Sequence, residues 1–289
     1  MRRLFVGMLA AALAVRASAS ALTVVDDTGK SVSLAGPAQR IVSLAPSATE
    51  MLFAAGAGDR VIATVEYSDE PAAAKRVPRI GDVTAVDIER VVALHPDVVV
   101  VWPGGGNPVQ IEKLAQLGFP IYRQQVNRLA DLPVALHRLG ALAATQAVAD
   151  RAAQALDSEL GRIAKEYGGG NHPTVLLEVW NRPIYTVGGT HLISDALTLC
   201  GARNIFGDLQ ELGPVVSTEA IIARNPDIIV AAAPPGEAAG WLAEWKRFGS
   251  LKAVRTGRLV AFEDQRLVHL GPSVVSATEA LCKAIANKP

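Results

Sequence analysis

Residues able to do chemistry are few and scattered in this 289-residue sequence. The five histidines, His95, His137, His172, His191 and His269, share no metal-ligand spacing with each other or with a cysteine pair. The sequence has no Gly-x-Ser-x-Gly elbow, no Ser-x-x-Lys pair and no His-Glu-x-x-His helix, so neither a catalytic set nor a metal site is expected. Gly104-Gly105-Gly106 lacks both the Lys-Ser/Thr of a phosphate loop and the Gly-x-Gly-x-x-Gly spacing, and reads as a turn. What remains is suited to holding a molecule. Aromatic residues make up only 5% of the chain, yet Tyr67, Trp102 and Trp180 each follow a short Val/Ile/Leu-rich run, and Asp264, Arg266 and His269 follow another. Flat rings cover much area at little rotamer cost, so the set suits a large apolar or conjugated ligand oriented by a few polar groups. For any one ring, packing against its own domain is the equal alternative; the shared placement after strands favours a site. Trp241 and Trp245, four residues apart, read as one packed helix face.

The elements that must position these residues follow from the apolar pattern. Runs at 40–44, 60–65, 98–102 and 120–122 alternate with helical segments at 49–55, 87–94 and 111–117. Residues 22–40 read as a hairpin turning at Thr28-Gly29. The same order recurs later, with strands at 174–179, 227–231 and 258–262 and helices at 192–199, 220–223, 241–248 and 273–286. Buried strands alternating with helices indicate parallel sheets covered on both faces. Between the halves, residues 145–167 read as one helix about 34 Å long. Its stripe is Val148, Ala152, Ala155, Leu156, Leu160, Ile163 and Tyr167, with Thr145 as the expected cap and Gly168-Gly169-Gly170 as the stop. The segment 87–100 matches 217–230 at a constant offset of 130, including Glu89 with Glu219, Pro96 with Pro226 and Asp97 with Asp227. Shared helix-to-strand grammar could produce this, but two lobes of one topology account for more of it. In open parallel sheets ligands bind beyond the carboxyl ends of the strands, which puts the aromatic set in a cleft between the lobes.

Compartment and class are also legible. Arg2 and Arg3, an apolar run at 4–15, and two small-x-small sites ending at Ala19 and Ala21 make a cleavable secretory signal over residues 1–21. Removing Arg2, Arg3 and Arg16 leaves 25 basic residues against 28 acidic, a net charge near −3. That balance argues against a nucleic-acid partner. Cys200 and Cys282 are an even pair in an oxidising compartment and read as a disulfide, with two buried free thiols as the alternative. Closing that loop would contribute about 4–5 kcal/mol in the chain-entropy model. An exported hydrolase on the same architecture would need a nucleophile–base pair that this sequence does not show.

The stretch Arg40-Ile41-Val42-Ser43-Leu44-Ala45-Pro46-Ser47-Ala48-Thr49-Glu50, then Tyr67-Ser68-Asp69, then residues 88–97, is similar to the helical-backbone substrate-binding proteins of ABC importers. That family serves corrinoids, haem and ferric siderophores. Asn204-Ile205-Phe206 marks the wider family as well, while Tyr67, Trp102-Pro103-Gly104-Gly105 and the paired cysteines of Leu199-Cys200 and Leu281-Cys282 draw the resemblance toward its corrinoid carriers. The resemblance implies a class III periplasmic binding fold: α/β, two lobes each with a central, mostly parallel sheet flanked by helices, joined by one long rigid helix that permits little closure. The lobes would be residues 22–144 and 168–289, with 145–167 between them. The implied ligand is cobalamin, with haem or a ferric siderophore as the alternative, and no resident cofactor. Tyr67 and Trp102 would face the corrin and the Asp264–His269 segment would close the other side. Val83 and Gly213 stand where the corrinoid carriers have tryptophans, and Trp180 and Tyr185 are the rings available to compensate. Cys200–Cys282 would be the C-lobe disulfide. Glu89 and Glu219 would dock a monomeric carrier on arginines of an inner-membrane permease dimer with its ATPase. Two equivalent acids suit a two-fold partner; the alternative, an acid favoured by each helix dipole, stabilises by only about 0.3–1 kcal/mol.

Overall fold

The computed structural model describes residues 21–269 and 271–286; apart from Ala21, the expected leader lies outside them. The chain opens with an antiparallel hairpin, β1 (Leu22–Val25) and β2 (Ser31–Leu34), turning where Gly29 takes a φ of 83°. Asp26 organises that turn by accepting from the N–H groups of Thr28 and Lys30, both at 2.9 Å. Next come β3 (Ile41–Ser43), α1 (Pro46–Ala54), β4 (Val61–Ala63), α2 (Ile88–Leu94), β5 (Val98–Val101), α3 (Pro108–Gln116) and β6 (Ile121–Arg123). Their strands form a four-stranded parallel sheet in the order β4-β3-β5-β6. All four valines of β5 are buried, as a strand covered on both faces requires.

Two helices follow, α4 (Asp131–Ala143) and α5 (Gln146–Tyr167). The second half contains β7 (Thr174–Glu178), the hairpin β8 (Trp180–Asn181) with β9 (Ile184–Tyr185), α6 (Leu192–Leu199), β10 (Arg203–Asn204), α7 (Thr218–Arg224), β11 (Ile228–Ala232), α8 (Ala238–Trp245), α9 (Lys252–Arg255), β12 (Leu259–Phe262) and α10 (Val274–Ala286). Its parallel sheet runs β10-β7-β11-β12. In both sheets the strands lie in the sequence order second, first, third, fourth.

The offset of 130 is therefore structural. Asp87 caps α2 by accepting from the Arg90 N–H at 2.9 Å, and Ser217 caps α7 by accepting from the Ala220 N–H at 3.2 Å. The helices end at left-handed residues, His95 (φ 44°) and Asn225 (φ 45°). Asp97 then accepts from the Gln39 and Arg40 amides at 2.8 Å, as Asp227 accepts from the Thr174 amide at 2.7 Å. Each lobe's third strand is thereby pinned to its first at the same point.

Several expectations need correction. α4 was not anticipated; Pro133 stands in its first turn, where a missing N–H costs little. α3 starts at Pro108 rather than 111, because Asn107 accepts from the Val109 and Gln110 amides and caps it. α8 covers 238–245 rather than 241–248. Thr145 does not cap α5; its hydroxyl donates to the Ala55 carbonyl at 2.7 Å, stitching α5 to α1. The buried stripe of α5 is also rotated. Ala149 and Ala153 are buried, whereas Ala155 is exposed and Val148 is 40% exposed. The cause is the approach of α4: a Cβ on Gly140 would fall 2.5 Å from the Ala149 Cβ, so only small side chains fit that seam.

One hydrophobic cluster runs through both lobes, joining Ile41, Met51 and Leu136 to Ile163, Leu177, Leu192 and Leu281. Smaller clusters cover the outer faces, around Val42, Val99 and Leu114 in one lobe and around Leu176, Phe206, Trp241 and Trp245 in the other. α5 packs on α1 and α4 from one side and on α6 and α10 from the other. A rod bedded in a shared, close-packed core resists bending. Cys200 and Cys282 form a disulfide, with Cα atoms 4.7 Å apart, tying the end of α6 to α10.

Candidate functional site

The expected ligand-facing residues all lie beyond the carboxyl ends of parallel strands, after β4, β5, β7 and β12. Tyr67 lies beyond β4 with a φ of 63° and is 76% exposed. A non-glycine residue holds that backbone conformation only when its neighbours enforce it. The next residue, Ser68, does so. It is buried, and its hydroxyl accepts from Thr64 Oγ1 at 2.9 Å within a group that also links Thr49 to Ser43 (2.8 Å) and to Thr64 (2.7 Å). Arg79 adds bonds to the Ser68 carbonyl (2.8 Å) and to Asp69 (3.0 Å).

Trp102, beyond β5, is half-buried on the shared core. The triglycine expected to be a plain turn proves to be the bed of its indole. A Cβ on Gly105 would fall 2.1 Å from the ring and one on Gly104 would fall 2.8 Å away. The Gly106 N–H donates to the Trp102 carbonyl at 3.1 Å and closes the turn.

In the other lobe, Trp180 and Tyr185 pair across the β8–β9 hairpin and are 49% and 38% exposed. Tyr185 also bridges to Val215, two residues from Gly213. The hairpin is anchored on α8. Trp180 meets Trp241 edge-on with centroids 6.1 Å apart, and Arg182 pairs with Glu244. Beneath it, Glu178 is 2% exposed and accepts from the Trp245 indole N–H at 2.8 Å. Burial pushes the Glu178 carboxyl up to about 7 against that one favourable bond. Trp241 and Trp245 are both buried on α8, as their spacing predicts.

Asp264, Arg266 and His269 belong to a tight turn with a 3₁₀ segment at Gln265–Val268. Arg266 grips Asp264 through Nε (2.8 Å) and a terminal nitrogen (2.5 Å), and holds its carboxyl below the usual carboxylate range. The bond to Asp264 and, more weakly, the charges of Glu70 and Glu50 in the first lobe raise the Arg266 pKa, and Ser273 just beyond this turn donates its N–H to Glu50 at 2.6 Å. Trp102 and Trp180 are instead each bedded in their own lobe.

A cavity of about 880 Å³ is walled by both lobes, yet none of the sequence-predicted ligand residues lines it. Gln125, Asn127 and Arg128 contribute from one side, and Ser194, Asp195 and Asn204 from the other. Sequence reasoning missed this polar wall because its residues share no periodicity or spacing. The one available signal was Asn204 of the Asn-Ile-Phe run, whose amide donates to the Val187 carbonyl and the Ser194 hydroxyl, both at 2.7 Å. Glu89 and Glu219 are exposed in the first turns of α2 and α7. The Glu219 carboxyl is held low by its own backbone N–H and the Ser217 hydroxyl. No helix among the described residues is long and apolar enough to cross a membrane.

Residues 41–265 match the family model described as periplasmic binding protein. The chain is 35% identical over 211 residues to the vitamin B12-binding protein of Vibrio campbellii, spanning 73% of this chain and 77% of that relative. The crystal structure of the periplasmic vitamin B12-binding protein of Vibrio cholerae superposes with a TM-score of 0.78 at 31% identity, covering 86% of this chain and 97% of that one. The periplasmic heme-binding protein of Vibrio cholerae covers 86% of this chain and 99% of its own at a TM-score of 0.72, but at 17% identity it shares the fold alone.

Proposed function

Because this chain belongs to the periplasmic binding protein family, whose members are class III two-lobed carriers, we propose that it captures vitamin B12 between its lobes and hands it to an inner-membrane ABC importer. The observation that carries this reading is the likeness to vitamin B12-binding proteins at 31–35% identity over most of the chain, against a heme-binding neighbour that shares only the fold. Residues 22–144 and 168–289 act as the lobes and 145–167 as the strut. The chain is exported through its leader and works in the periplasm as a monomer.

On this reading the corrin lies against Tyr67 and Trp102 on one rim and Trp180 with Tyr185 on the other. The two hairpin rings supply the flat surface absent at Val83 and Gly213. Asp264, Arg266 and His269 give the polar side that orients the ring's amides. Preformed, aromatic-lined concavities bind such ligands without first reorganising. Calorimetric titration with cyanocobalamin and, separately, hemin tests the assignment. Saturable one-to-one binding of cyanocobalamin is expected; binding of hemin alone, with a Soret shift lost in Tyr67→Ala, would reassign the protein to haem.

Glu89 and Glu219 dock the loaded carrier on paired basic residues of the permease. Their support is equivalence: one exposed acid at the same turn of the same helix in each lobe suits a two-fold partner. Changing Glu89→Ala together with Glu219→Ala should abolish ligand uptake in reconstituted importer while leaving affinity for cyanocobalamin as it was. Unimpaired uptake would remove the docking role.

A further inference from the structure

Two carboxylates tie the lobes across their gap. Glu50, in α1, is 7% exposed and reaches into the opposite lobe. Its Oε1 accepts from the Ser273 N–H at 2.6 Å and its Oε2 from the Ser273 hydroxyl at 3.1 Å, just before α10. Gly271 makes the approach possible, since a Cβ there would fall 2.1 Å from Oε2. The return tie comes from Asp195 in α6. Its Oδ2 accepts from the Leu129 N–H at 2.8 Å, and Arg128 stands 3.8 Å from its other oxygen.

Topologically this is one bond made twice. α1 is the first helix after β3, the leading strand of its sheet, and α6 is the first helix after β7, which leads the other. Leu129 lies between the fourth strand β6 and α4; Ser273 lies between the fourth strand β12 and α10. Each lobe's first helix thus offers a carboxylate to the backbone entering the helix after the other lobe's fourth strand. Hydrogen bonds to a carboxylate acceptor are the stronger kind, and at buried Glu50 an unpaired partner is costly, whereas Asp195 is partly exposed.

Each tie also adjoins a ligand-facing part. Ser273 follows the turn bearing Asp264, Arg266 and His269, and Thr49, next to Glu50, belongs to the hydroxyl group beneath Tyr67. Asp195 and Arg128 line the large cavity. We propose that Glu50 and Asp195 are positioning residues: a reciprocal pair of inter-lobe clamps that set the width of the gap and hold the 264–269 turn and the cavity wall in register for the ligand. This rests on the reading of the gap as the ligand site.

The test uses the full chain and the variants Glu50→Ala, Glu50→Gln, Asp195→Ala and Arg266→Ala. Without ligand, hydrogen exchange should quicken about tenfold or more at residues 264–269 and 273–276 in Glu50→Ala, and at 129–133 in Asp195→Ala, with β7 and β11 unchanged. Glu50→Gln keeps one acceptor oxygen and should fall between; it stands in where the alanine variant does not fold. With cyanocobalamin, each clamp variant should bind about tenfold more weakly. Combining Glu50→Ala with Arg266→Ala should weaken binding no further than the worse single change, because the clamp acts through that turn. Unchanged local exchange, or losses that add fully, would overturn the proposal. A wild-type chain that binds no cyanocobalamin would fail the ligand reading, while the exchange arm still decides on the clamps.

Discussion

Two lobes with one strand order hold their rims by different means. In the N-terminal lobe, the hydroxyls of Ser43, Thr49, Thr64 and Ser68 and the exposed Arg79–Asp69 pair support Tyr67, and glycines lie beneath the Trp102 indole. In the C-terminal lobe, the Trp180 hairpin rests on a buried carboxylate, an Arg182–Glu244 ion pair and a helix face, and a disulfide ties α6 to α10. A duplicated topology therefore leaves the anchoring chemistry free to diverge. The hydroxyl and glycine supports neither titrate near neutrality nor respond to reductant, whereas the other lobe's supports include one group of each kind.

The difference can be broken most strongly at the disulfide. Replacing Cys200 and Cys282 together by serine should lower unfolding stability by about 2–5 kcal/mol, read from denaturant midpoints. Hydrogen exchange should rise first at α6 and α10 and leave β3 and β5 protected. Uniform loss across both lobes would show that the shared core, rather than the bridge, governs the second lobe.

Glu178 sharpens the contrast through pH. Its folded-state carboxyl titrates at about 7 against an ordinary 4.5, so the folded state binds the proton more readily than the unfolded chain does. The stability tied to this group is complete below about pH 4.5 and is lost as pH rises through about 7, a change on the order of 3 kcal/mol. Glu178→Gln keeps an acceptor for the Trp245 indole and removes the titration. It should match the wild type at pH 5 and exceed its melting temperature at pH 8. Parallel pH profiles for the two proteins would contradict this account.

Much of this was legible beforehand. Alternation of Val/Ile runs with helices revealed both sheets, and the Pro-Asp repeat at an offset of 130 revealed their equivalence, because those residues act locally as caps and strand pins. The placement of Tyr67, Trp102, Trp180 and the 264–269 turn beyond β4, β5, β7 and β12 was legible too, because each lies a short step past an apolar run. What escaped depended on contacts distant in sequence. The rotated stripe of α5 is dictated by Gly140 of a helix that periodicity did not reveal. Glu50 stood in a recognised stretch, yet its partner lies 223 residues away. The polar cavity wall is assembled from the segment after β6 in one lobe and from α6, β10 and neighbouring loops in the other, and no local pattern encodes such an assembly.

The proposed capture of ligand between the lobes requires both rims to grip a single molecule. Titrating cyanocobalamin into wild type, Tyr67→Ala, Trp180→Ala and the double variant tests it most directly. The account predicts one-to-one binding weakened about tenfold or more by each change, with the double variant weaker than either. Affinity that is indifferent to either ring would place the ligand outside the gap and contradict the account.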